Sequence, residues 1–97
     1  MQHYIIVKFN DFAANHDELI AEITTLFKQA ESLPGVYSVS VRRACILSDI
    51  RYDLMVIMDM EREALATFDA SPIHREWKER FGKYLKHKVI FDCEDKI

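Results

Sequence analysis

Apolar and polar side chains alternate from residue 3 to residue 10. His3, Ile5, Val7 and Phe9 share one side and Tyr4, Ile6, Lys8 and Asn10 the other, which predicts a strand. A polar turn covers 11–16, with Asn15 placed to cap a helix. Over 16–32 the period changes. Leu19, Ile20, Ile23, Leu26, Phe27 and Ala30 fall on one stripe of a 3.6-residue helix. Asp17, Glu18 and Glu22 lie near its start and Lys28 near its end, the favourable sense for the helix dipole. Leu33-Pro34-Gly35 ends it, because proline removes a donor and glycine permits a reversal.

A second alternation runs over 36–43, with Tyr37, Val39 and Val41 on one side and Ser38, Ser40 and Arg42 on the other. This is a strand with one wet face. After a loop over 44–51, a third strand is expected over 52–60. Leu54, Val56 and Met58 occupy one side and Met55 and Ile57 the other, so both faces are apolar. A short helix over 62–69 turns Leu65 and Phe68 inward. Ser71-Pro72 restarts a helix, with serine as cap and proline in the first turn. Its apolar stripe is Ile73, Trp77, Phe81, Tyr84 and Leu85, with Glu76–Arg80 and Glu79–Lys83 as i, i+4 pairs. A fourth strand is expected over 87–93, and the charged tail from Glu94 to Lys96 closes the chain.

The order β-α-β-β-α-β in one sheet predicts an α+β, ferredoxin-like βαββαβ fold. Two right-handed crossovers place the first and third strands at the centre of a four-stranded antiparallel sheet. Two helices cover only one face of such a sheet. The other exposes Ile6, Met55, Ile57 and either Val89 with Phe91 or Ile90, ringed by Lys8, Asp53 and Asp59. Roughly 500 Å² of apolar surface is near or above what a monomer tolerates. A second copy docked sheet on sheet, with two-fold symmetry, is the expected cover.

The 97 residues make one domain, 1–97, with 49% apolar and 30% charged side chains. A net charge of −3 gives no global footprint for nucleic acid. The stretch from Arg75 to Lys88 is locally basic, but its charges alternate with the apolar stripe and read as a solvated face. Arg42, Arg43 and Arg51 likewise read as a solvated loop cluster. The opening residues hold neither a secretory signal nor a membrane span, so the expected place is the cytoplasm, with no membrane partner. Cys45 and Cys93 belong to no CxxC pair and read as free thiols.

Five segments, in order and spacing, resemble the stress-responsive A/B barrel family, also called the dimeric A/B barrel or Dabb domain. They are H-Y-I-I-V-K-F (His3 to Phe9), L-P-G-V (Leu33 to Val36), R-Y-D-L (Arg51 to Leu54), F-D-A-S-P-I-H (Phe68 to His74) and I-F-D (Ile90 to Asp92). The resemblance spans nearly the whole chain. It implies a ferredoxin-like dimer whose two sheets form an α/β barrel. In a polyketide-cyclase branch of that family, a pocket between sheet and helices is faced by a histidine at the start of strand one and another in an S/H-P-x-H segment. The matching positions are His3 and His74. That branch's tyrosine six residues before the helical histidine is Phe68 here, and a third-strand histidine is Leu54.

On this resemblance His3 and His74 are the candidate catalytic pair. Imidazoles transfer protons near neutral pH, so one could take a proton beside a carbonyl while the other polarises an oxygen. Ile5, Phe27, Leu54, Phe68, Trp77 and Phe81 are the candidate ligand-binding lining, and they would equally serve as core. His16 and His87 are expected at the surface. A metal held by the histidines with Asp53 or Asp92 lacks any ligand-spacing motif, and no cofactor is implied. The expected function is a homodimer binding a small apolar molecule with a carbonyl or carboxylate. The alternatives are a cyclase- or isomerase-like enzyme using His74 as general base, or a structural stress protein without activity.

Overall fold

The structure, a computed structural model, describes residues 1–94, so the end of the expected charged tail, Asp95 and Lys96, lies outside the described residues. The strands are β1 (Gln2–Phe9), β2 (Val36–Arg43), β3 (Leu54–Met60) and β4 (Leu85–Cys93). They form one antiparallel sheet in the order β2-β3-β1-β4. The two strands with apolar residues on both faces are central, as their patterns require. Helices α1 (His16–Lys28), α2 (Ala64–Asp69) and α3 (Pro72–Glu76) cover one face of a slab 36 × 31 × 17 Å in extent.

The expected caps form. The Asn15 carboxamide oxygen accepts from the Glu18 N–H at 3.1 Å, and the Ser71 hydroxyl accepts from the His74 N–H at 3.3 Å. The stripe of α1 is buried apart from half-buried Ile20, and its last turn tightens to 3₁₀ over Gln29–Ser32. Gly35 takes φ +82°, the left-handed turn that returns the chain to β2.

The departures from the expected elements are local and have identifiable causes. A register shift between Val36 and Ser38 makes a bulge in β2. It turns Tyr37 outward, 62% exposed, and gives its inward place to Val36. The third strand begins at Leu54 rather than 52. Asp53 therefore leaves the rim of the open face and is buried, accepting from the Phe9 N–H at 2.9 Å and from Lys8 Nζ at 3.2 Å. In α2, Ala64 and Phe68 are buried and Leu65 is half-buried, because the helix starts two residues late.

The last helix is not continuous. After one turn of α3, Trp77–Phe81 widen into a π turn and Gly82–Tyr84 tighten to 3₁₀. Trp77 and Phe81 stay in the core, while Leu85 becomes the first residue of β4. The wider turn shifts the i, i+4 alignment, and Arg80 reaches Glu22 of α1 at 3.5 Å instead of Glu76.

The register of β4 settles which residues stand on the open face. Val89 pairs with Ile6 and Phe91 with Tyr4, so both join Met55 and Ile57 there. Ile90 pairs with Ile5 and faces the helices.

Candidate functional site

His3 is the second residue of β1, and antiparallel pairing sets it beside Asp92 on β4. The imidazole is 3% exposed, and its Nδ1 hydrogen-bonds the Asp92 carboxylate. That contact fixes the orientation of the ring. The His3 ring meets the edge of Phe68 at 6.1 Å between centroids. Phe68 is fully buried, and His74 meets it edge-on at 5.3 Å. The two imidazoles thus flank one phenyl ring. Ser71 ties this corner together: its hydroxyl donates to the Phe68 carbonyl at 2.7 Å while accepting from the His74 N–H.

His74 differs from His3 in its surroundings. Its side chain is 22% exposed, and Nε2 lies 3.9 Å from the Asp69 carboxylate. Partial burial lowers its pKa from the ordinary histidine value. Asp69 opposes that shift, and the positive charges of Lys78 and Lys88 and nearby His3 reinforce it. The imidazole is therefore neutral at pH 7, the form that accepts a proton.

The six residues expected to line a pocket are all 2% exposed or less. Phe27 packs on Trp77 at 4.9 Å and on Phe68 at 6.2 Å, and Trp77 meets Phe81 at 5.9 Å. Together with Ile5 and Leu54 they belong to the central core cluster. Open space lies beside Trp77. A groove of about 360 Å³ runs between the π turn and β4, lined by Trp77, Lys78, Gly82 and residues Leu85 to Lys88. Adjoining it at Lys86, a cleft of about 640 Å³ is lined also by Lys8, Phe9, Asn10, His16, Ser48 and Asp53 among others.

Sequence reasoning treated Asp92 only as a conceivable metal ligand, and its role as the partner of His3 becomes visible only through the strand register. The charges of Lys78 and Lys88, read as solvated, act on His74. His16, expected at the surface, is half-buried with its ring 4.9 Å from Phe9, whereas His87 is exposed. Arg43 of the arginine cluster bonds Asp17. Among the described residues no three of His, Cys, Asp and Glu converge to hold a metal ion. Asp53, a conceivable partner of the histidines by sequence, is committed to Lys8 and the Phe9 N–H.

The sheet order and its one-sided helices define a ferredoxin-like α+β domain. Residues 1–95 match the family model of the stress responsive A/B barrel domain, and the chain belongs to that family. A dimeric ferredoxin-like protein of unknown function from Thermobifida fusca superposes with a TM-score of 0.76 at 17% identity, over 93% of this chain and 85% of that one. A protein from Arabidopsis thaliana gives 0.79 at 16% identity, over 99% and 95%. A Dabb family protein from Mesorhizobium loti gives 0.71 at 16% identity, over 96% and 93%. No curated protein is similar enough in sequence to count as a relative. Among the described residues no helix is long and apolar enough to cross a membrane.

Proposed function

We propose that the chain acts in the cytoplasm as a homodimer joined through its open sheet faces. Each protomer binds a small, largely apolar molecule bearing a carbonyl or carboxylate, at the mouth between sheet and helices beside His3 and His74. One observation carries this reading: a partly exposed imidazole and an aspartate-held imidazole pack against the same phenyl ring. Such paired polar groups over an apolar floor orient a carbonyl compound. The dimeric Thermobifida fusca protein supports the assembly.

The test is an amide NMR titration of the whole protein with 4-phenylbutan-2-one, an apolar ketone. Shifts centred on His3, His74 and Trp77 are expected. Shifts confined to the cleft around Asp53 would overturn the reading.

Burial favours the unprotonated form of His74, the form that accepts a proton, and this supports a second reading, that of a general base. His74 would remove the proton beside the carbonyl while the His3–Asp92 pair donates to the oxygen. Exchange of that ketone's α-protons in D₂O should then run faster with the wild type than with His74→Gln. Equal rates would remove the catalytic role and leave binding.

A further inference from the structure

The groove between the π turn and β4 carries unbalanced charge. Lys78 enters from the π turn, Lys88 stands on the helix-facing side of β4 by its pairing with Val7, and Lys86 occupies the bulge where β4 slips against β1. Among the described residues none of the three pairs with a carboxylate, whereas Lys8, Lys28, Arg43, Arg62 and Arg80 all do. Three ammonium groups around about 360 Å³ repel one another, and an anion between them relieves that repulsion. Trp77 and half-buried Leu85 are the apolar residues of its lining, and just beyond it Ile90, the next helix-facing residue of β4 after Lys88, is 51% exposed. Lysines act as point charges without the planar fork of arginine, so carboxylate and phosphate oxygens suit them alike.

We infer that the ligand is an amphipathic organic anion, its oxyanion held by Lys78, Lys86 and Lys88 and its apolar body lying along Trp77 and Ile90 toward His74. This rests on the proposed small-molecule site and names the class of molecule that enters it. The assignment is tested by NMR titration of the full chain with octanoate, octyl phosphate and octan-1-ol, which share one apolar body. Octanoate should shift Trp77, Lys78, Lys88 and Ile90 and bind about tenfold more tightly than octan-1-ol. K78Q/K86Q/K88Q should remove that advantage, as should raising the salt from 0.01 M to 0.5 M, which shortens the Debye length from about 30 Å to about 4 Å. K83Q, a lysine outside the groove lining, should change nothing. Preference for octyl phosphate over octanoate identifies the oxyanion as phosphate, and the reverse as carboxylate; both outcomes support the inference. Octanoate and octan-1-ol binding equally at the groove would overturn the anion assignment while the small-molecule site stands. No binding of any of the three there would overturn both.

Discussion

His74 has lost basicity to its neighbourhood, and this couples its protonation to folding. In the unfolded chain it takes up a proton near pH 6.5, and in the folded protein only at lower pH, because partial burial and the surrounding positive charges oppose the cation. The unfolded state therefore binds more protons in that interval, and stability declines as pH falls through it from about 6.5. Urea denaturation from pH 7.5 downward should show a shallower decline in His74→Gln than in the wild type. An identical slope would mean that His74 is not the linked group. His3 makes a different prediction, because it is buried and bound. Asp92→Ala leaves its Nδ1 without a partner in an apolar setting and should cost about 1–3 kcal/mol in chemical denaturation. The same variant should weaken ketone binding, since the ring is no longer held. The candidate histidines were legible through the family's segments, but Asp92 was not, since only strand register shows which β4 residue faces residue 3.

At the scale of elements, two glycines separate backbone need from chance. Gly35 holds φ +82°, and a Cβ there would come within 3.0 Å of the Ala64 Cβ. Gly35→Ala should lower stability by at least about 1 kcal/mol, through the left-handed backbone and the contact with α2 together. Gly82 has ordinary φ, and a Cβ there meets nothing within 4 Å. Gly82→Ala should raise stability by about 0.4–1 kcal/mol, and thermal melts of the pair should move in opposite directions. The periodicities of β1, α1 and β3 made most of this architecture readable, because each buries one face throughout. Where backbone geometry changes without a change of composition, the pattern was silent. Tyr37 alternates correctly with Val39 in sequence, yet the β2 bulge turns it outward. Trp77 and Phe81 fit an α-helical stripe, and they fit a π turn equally well, since both stay inward. Asp53 follows the open-face alternation of β3, yet it folds under to hold Lys8 and the Phe9 N–H where β4 bulges against β1.

The whole molecule is a sheet backed by a single helical layer, 17 Å through its thinnest extent. Its bare face is most apolar at the centre, where Ile57 stands between Tyr4 and Ser40 and Met55 lies next to Ile6. Phe91 and Val89, 57% and 41% exposed, extend the patch to the β4 edge. Burying roughly 500 Å² on each copy releases on the order of 25 kcal/mol gross, more than association entropy consumes. Ile57→Asp leaves the core beneath the helices untouched, since Ile57 points away from it. In a two-fold dimer it brings one carboxylate from each copy into the same desolvated layer, at a cost of several kcal/mol. Sedimentation at micromolar concentration should show a dimer for the wild type and a folded monomer for Ile57→Asp. Thr25→Asp, on the exposed side of α1, should sediment as the wild type does. A dimer that tolerates Ile57→Asp must join through some other surface. A wild-type monomer would mean that the bare face remains in water, and that the protein binds its ligand without a second copy.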